Sequence, residues 1–134
     1  RSTQGVSSAA SDVYKRQKPW RLDPGYERVQ RVNVPTDKLQ DFVAAMTDLE
    51  KAIIEAGHSD FFNGVFLPIG GGTHEAQTVM VRSATPDASS FGKLFDEYFD
   101  GEAAWTDEWL ALQAVGGTII SDSFEECEQT YSAN

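Results

Sequence analysis

Residues 36–57 carry the clearest secondary-structure pattern in the chain and constrain its fold the most. Thr36 stands where an N-cap is expected, and Gly57 can adopt the left-handed conformation that ends a helix. An apolar stripe of about six helical turns must pack on a broad surface, and the flanking segments have the composition of strands. The stripe has the spacing of one helix face and consists of Leu39, Phe42, Val43, Met46, Leu49, Ile53 and Ala56.

The remaining elements follow from alternation, turn residues and a second apolar stripe. Strands are predicted over residues 26–34, 61–67, 75–84 and 118–131. A second helical region follows Pro86 and extends through Trp105 and Trp109 to the glycines at 116–117. The order βαββαβ predicts a ferredoxin-like α+β fold, in which helices cover one face of a four-stranded antiparallel sheet.

The first 17 residues differ from the rest of the chain. RSTQGVSSAASDVYKRQ is serine-rich and has no apolar periodicity. We interpret residues 1–17 as a disordered or non-native extension, the alternative being a genuine flexible tail. Residues 18–134 are predicted to form a single domain.

Charge and composition exclude several classes of function. With 11 basic and 21 acidic residues, the formal net charge of −10 disfavours nucleic acids and anionic membranes as partners. No apolar run approaches the length of a membrane span, and no signal peptide is visible. Cys127 is the single cysteine, so no internal disulfide is expected, and we predict a cytoplasmic protein.

Aromatic residues of the second helical region predict a ligand pocket against the sheet. Trp105 and Trp109, with Phe66 and Arg82 from the predicted strands, are the candidate ligand-binding residues. His74 and Arg82 are the candidate catalytic residues, because an imidazole can move protons and a guanidinium can hold an oxyanion. Aromatic residues at helical spacing are also ordinary core, and that reading stays open.

Other polar residues have simpler structural readings. Arg28, Arg31 and Arg82 could clamp a carboxylate ligand or pair with acidic residues of the last strand, namely Glu125, Glu126 and Glu128. His58 follows a helix terminator and is a favourable partner of the helix dipole when charged. Glutamates beside Cys127 should raise the pKa of its thiol. His58 and His74 form no metal signature, so neither a metal nor a cofactor is predicted.

The element order, the length and the late helix with Trp105 and Trp109 before a final strand resemble the dimeric α/β-barrel group. That group includes the antibiotic-biosynthesis-monooxygenase, EthD-like and NIPSNAP-like proteins, and the resemblance covers about residues 24–131. It implies a homodimer that buries the open face of the sheet. It also implies a small ligand between sheet and helices, and for some members cofactor-free oxygenation or haem binding.

Three functions therefore stay open on the sequence. The first is a dimeric protein that binds a small apolar or aromatic molecule without turning it over. The second is a cofactor-independent enzyme of the monooxygenase-like or isomerase-like kind, in which His74 or Arg82 would act on the substrate. The third is a structural or protein-interaction module that uses the open sheet face.

Overall fold

A computed structural model describes residues 25–70, 72–75 and 77–128 of the chain. The predicted extension at residues 1–17, the lead-in up to residue 24 and the last residues of the predicted fourth strand lie outside the described residues. No helix in the described ranges is long and apolar enough to cross a bilayer.

Four strands and three α-helices form the fold of the described residues. The strands are β1 (Gly25–Asn33), β2 (Phe62–Phe66), β3 (Thr78–Thr85) and β4 (Thr118–Cys127). The helices are α1 (Leu39–Glu55), α2 (Ala88–Phe99) and α3 (Thr106–Val115). The sheet has the order β2-β3-β1-β4, and every neighbouring pair is antiparallel. This topology confirms the predicted ferredoxin-like fold.

The core lies between the helices and one face of the sheet. On α1, Phe42, Met46, Leu49 and Ile53 are buried, which are four positions of the predicted apolar stripe. They form one cluster with Val32 and Val81 of the sheet and with Leu94, Trp105 and Leu112 of the second helical region. We call this side of the sheet the helix-side face and the opposite side the outer face.

The start of α1 differs from the prediction. The Thr36 side chain makes no capping hydrogen bond, so its expected role as N-cap is wrong. The chain instead enters α1 through a 3-10 turn, Thr36–Lys38, in which the Lys38 amide donates to the carbonyl of Pro35 at 2.8 Å. The other end matches the expectation, because Gly57 has a φ of 110° and ends the helix.

The third strand also starts later than expected. A second 3-10 turn, Gly72–His74, occupies the loop after β2, and β3 begins at Thr78 rather than at Glu75. Both the amide and the hydroxyl of Thr78 donate to the carbonyl of Glu75, at 3.3 and 3.2 Å. These bonds turn the chain at the point where the sequence pattern suggested that it was already extended.

The second helical region contains two separate helices. Asp87 caps α2, since its Oδ1 accepts from the amide of Ser90 at 2.7 Å. Gly101, with a φ of 77°, lies in the turn between α2 and α3. This turn allows α3 to pack against α1 while α2 lies against β1 and β3.

Candidate functional site

The candidate site is a cavity of about 320 Å³ between the helix-side face and the helices. Its floor comes from β1, β2 and β3, and its walls come from all three helices. Small-molecule pockets usually measure about 300–1,000 Å³, so this cavity fits a compact ligand of one or two rings. Most of the wall on the side of α2 and α3 is aromatic: Phe91, Phe95, Tyr98, Phe99, Trp105 and Trp109.

Helical spacing aligns these rings. Phe91, Phe95 and Tyr98 lie four and then three residues apart, so α2 presents them on one side. Tyr98 stacks on Trp105, with ring centroids 5.7 Å apart and planes inclined by 16°. Its edge contact with Trp109 has a centroid distance of 6.2 Å. Tyr98 therefore joins the aromatic residues of α2 to the two tryptophans beside and within α3.

Trp105 carries a buried hydrogen-bond donor without a partner. The residue is 6 % exposed, and its Nε1 is paired with no acceptor in the described part of the chain. An unsatisfied buried N–H destabilises a protein by about 1–3 kcal/mol. The Nε1 atom has almost no accessible surface, so a ligand oxygen would reach it only after the surrounding side chains had moved.

Arg28 on the floor forms an ion pair with a residue of the neighbouring strand β4, which does not line the cavity. Arg28 of β1 donates to Asp122 of β4, with distances of 2.9 Å from Nε to Oδ1 and 2.5 Å from Nη2 to Oδ2. The side-chain amide of Gln30 donates from Nε2 to the same carboxylate at 3.2 Å. The hydrogen bond from Arg28 lowers the pKa of Asp122 despite partial burial, so the carboxylate is ionised at neutral pH.

Two neutral polar residues complete the floor and are satisfied by the protein. The Ser83 hydroxyl donates to Oδ1 of Asn63 at 2.9 Å. The side-chain amide of Asn63 donates in turn from Nδ2 to the backbone carbonyl of Met46 on α1 at 3.4 Å. Among the described residues that line the cavity, Arg28 alone is charged.

The structure brings two of the predicted ligand-binding residues to this cavity. Trp105 and Trp109 line it, on the side where the pocket was expected. Phe66 is 41 % exposed and lies with Met80 and Arg31 along a shallow depression of the outer face. Phe66 therefore lies on the other side of the sheet from the two tryptophans.

Arg82 also belongs to the outer face. It donates from Nε to Oε2 of Glu27 at 2.5 Å and from Nη2 to the second carboxylate oxygen. The Cys127 thiol donates to Oε1 of Glu27 at 2.6 Å. The hydrogen bond from Arg82 lowers the pKa of Glu27, and the hydrogen bond to Glu27 raises the pKa of Cys127. Arg82, Glu27 and Cys127 thus form one hydrogen-bonded cluster on the outer face. The arginine that lines the cavity floor is Arg28 and not Arg82.

The two histidines lie at separate places. His74 ends the 3-10 turn in the loop between β2 and β3, and its side chain lies outside the described residues. His58 follows α1, and its Nε2 lies 2.8 and 3.0 Å from the carboxylate oxygens of Glu97 on α2. His58 therefore joins the end of α1 to α2. Within the described ranges, no group of three or more metal-ligating side chains is present.

The three arginines form ion pairs with acidic residues that the sequence did not suggest. Arg28 pairs with Asp122, Arg31 with Glu75 and Arg82 with Glu27. The floor residues that the sequence candidates did not include are Gln30, Asn63 and Ser83, and Arg28 was considered only as one of three possible carboxylate clamps. Alternation in the sequence places Arg28 and Gln30 on one face with Val32, but it does not show that the helices cover this face.

Comparison with known proteins yields likeness of fold only. No protein-family model and no curated protein sequence matches the chain. A conserved protein from Methanosarcina mazei Go1 has a similar structure, with 10 % identity and a TM-score of 0.50; the match covers 79 % of this chain and 93 % of that chain. A dimeric protein of unknown function and ferredoxin-like fold from Bacteroides fragilis NCTC 9343 has 14 % identity and a TM-score of 0.43, covering 79 % and 96 %.

Proposed function

We propose that this protein binds a small apolar or aromatic molecule in the cavity between the helix-side face and α2–α3. The observation that carries the proposal is the aromatic wall that α2 and α3 turn toward a cavity of about 320 Å³. Aromatic rings arranged around a compact space favour flat apolar ligands through burial and ring stacking. The free N–H groups of Arg28 would orient an oxygen on such a ligand.

Binding without turnover is better supported than the enzymatic alternative. The cavity lining supplies aromatic, aliphatic, amide and hydroxyl groups and the Asp122-paired guanidinium of Arg28, which bind and orient a molecule. Arg82, which was to hold an oxyanion, is engaged with Glu27 on the outer face. The resemblance to the dimeric α/β-barrel group is in keeping with a ligand in this position.

The homodimer is the second part of the proposal, with the outer face as its interface. Met80 and Phe66 place apolar surface on that face. Its arginines are paired within the chain, Arg82 with Glu27 and Arg31 with Glu75. Two copies can therefore meet there without an unbalanced guanidinium on either side, although each chain carries a net charge of −10. This face is also the one that the structural-module alternative would use.

A titration with the neutral fluorescent naphthalene ketone prodan tests the ligand proposal. We expect its emission to shift to the blue and to saturate with the wild-type protein. Trp109→Ala should weaken binding about tenfold or more, because it removes part of the aromatic wall. Leu110→Ala is the matched control, since Leu110 is the next residue and is 53 % exposed. Equal affinities for the two variants, or no saturable binding by the wild type, would contradict the proposal.

Sedimentation equilibrium tests the dimer separately. The wild type should sediment as a dimer, and Met80→Glu should sediment as a monomer because it places a charge in the centre of the outer face. Leu110→Glu adds the same charge to an exposed site on α3 and should remain dimeric. A monomeric wild type would overturn the dimer and leave the ligand proposal unaffected.

A further inference from the structure

The guanidinium of Arg28 on the cavity floor is held from the neighbouring strand. Asp122 accepts two of its hydrogen bonds, at 2.9 and 2.5 Å. The ring of Phe124 packs beside it, with 5.7 Å between the ring centroid and Cζ of Arg28. Asp122 lies opposite Gln30 in the register of β1 and β4, and Phe124 lies opposite Arg28. Both residues thus hold Arg28 from β4, and neither of them lines the cavity itself.

This pairing changes what the floor offers to a ligand. Asp122 occupies only part of the N–H groups of the guanidinium, so the others can still donate to a ligand oxygen. The positive charge of Arg28 is balanced by the carboxylate of Asp122. The floor therefore provides hydrogen-bond donors without a net positive charge.

An anionic ligand would meet two unfavourable terms at this floor. An anion bound to the remaining N–H groups of Arg28 would lie within several ångströms of Asp122, which holds the same guanidinium, and like charges at that distance repel in a partly desolvated site. The net charge of −10 adds a long-range potential of the same sign. A neutral carbonyl oxygen meets neither term and still accepts a hydrogen bond.

We infer that Asp122 determines the charge of the ligand, so that the cavity selects uncharged aromatic molecules bearing an acceptor oxygen over the corresponding carboxylates. This inference rests on the proposed function and names the ligand class of the same cavity. Asp122 is a positioning residue, because it acts on the ligand through Arg28.

Calorimetric titration at neutral pH with two probes of nearly equal size tests the inference. 2-Acetonaphthone is the neutral ketone, and 2-naphthoate is the matching carboxylate. The wild type should bind the ketone about tenfold or more tighter than the carboxylate. Asp122→Asn keeps the size of the side chain and removes its charge, so the ratio of ketone affinity to 2-naphthoate affinity should fall about tenfold or more.

Asp48→Asn is the control for net charge. Asp48 lies on the exposed side of α1, away from the cavity lining, so this variant changes the net charge by the same amount. It should leave the ratio of the two affinities at the wild-type value. A second variant, Arg28→Gln, leaves Asp122 unbalanced. It should weaken 2-naphthoate further and should bind the cation 2-naphthylmethylammonium tighter than the wild type does.

Each outcome decides between the claims. A wild type that binds 2-naphthoate as tightly as the ketone, or an Asp122→Asn variant whose affinity ratio equals that of Asp48→Asn, would overturn the inference and leave the proposed function standing. If Asp122→Asn fails to fold, an unchanged affinity of Arg28→Gln for the cation would overturn it. Failure of all three probes to bind the wild type would overturn the proposed function and this inference with it.

Discussion

Arg82 and Glu27 form an ion pair on the outer face of the sheet, with 2.5 Å between Nε of Arg82 and Oε2 of Glu27. Arg82 lies opposite Val29 in the register of β1 and β3, and Glu27 is two residues before Val29, so the pair is diagonal. Glu27 is only 2 % exposed, which means that its charge depends on the partners around it.

Replacing Glu27 with glutamine should therefore destabilise the protein. Glu27→Gln removes the charge that balances Arg82, and we expect the free energy of unfolding to fall by about 1–3 kcal/mol. The loss should stay below the value for a fully buried pair, because Arg82 is partly exposed and can be hydrated. Urea unfolding followed by circular dichroism measures it.

The matched control for this substitution is Glu55→Gln on α1. Glu55 pairs with Lys51 at 3.8 Å, and both side chains are largely exposed. Exposed pairs contribute about 0–1 kcal/mol, so this variant should unfold close to the wild type. If the free energy of unfolding fell equally in both variants, the outer-face pair would contribute no more to stability than an exposed pair does.

The same pair predicts a pH dependence of stability. The hydrogen bond from Arg82 holds the pKa of Glu27 below its ordinary value of 4.5. A carboxyl group with a lowered pKa in the folded state contributes stability that is complete above the unfolded-state pKa and is lost as the pH falls through the folded-state pKa.

The difference in unfolding free energy between wild type and Glu27→Gln should therefore be constant near neutral pH and should shrink below about pH 4.5. The lowered pKa of Asp122 affects both proteins alike and cancels in the difference. Urea unfolding at a series of pH values measures it, and a difference that grows on acidification would contradict the account.

The Cys127 thiol should titrate above the ordinary thiol value of 9.0, chiefly because it donates a hydrogen bond to Glu27. Glu27→Gln removes the negative charge, so the pKa of Cys127 should fall. The thiolate absorbance followed against pH gives the titration midpoint of Cys127 in each protein. An identical midpoint in both proteins would exclude Glu27 as the cause.

The topology of the protein could be predicted from local patterns. The stripe from Phe42 to Ile53 has helical spacing, and these two residues are buried against the sheet. Gly57 ends this helix through a conformation that glycine adopts readily. The sequence also placed Trp105 and Trp109 in the second helical region, where they line the cavity.

The side of the sheet on which each candidate lies was harder to predict. Alternation shows that Arg28 and Gln30 share a face, but it does not show which face the helices cover. Both faces of β1 mix polar and apolar residues, so hydrophobicity does not decide between them. Arg82 and Phe66 consequently joined the candidate list although they lie on the outer face.

Ion-pair partners depend on strand register, which the sequence specifies weakly here. The pairing of β1 with β4 shifts between Arg31 and Val32, so partners cannot be counted along the strands from one end. This irregular register brings Asp122, rather than a glutamate of the last strand, to Arg28. The pairing of these arginines with Glu125, Glu126 or Glu128 was considered without knowledge of this register.

The most direct test of the central claim is an NMR titration of the ¹⁵N-labelled protein with 2-acetonaphthone, which reports where the ligand binds. We expect the indole N–H signals of Trp105 and Trp109 to shift and saturate together, while the backbone amides of Phe66 and Leu67 beside the outer-face depression stay in place. Shifts confined to Phe66 and Leu67, or indole signals that do not move at saturating ketone, would contradict the account.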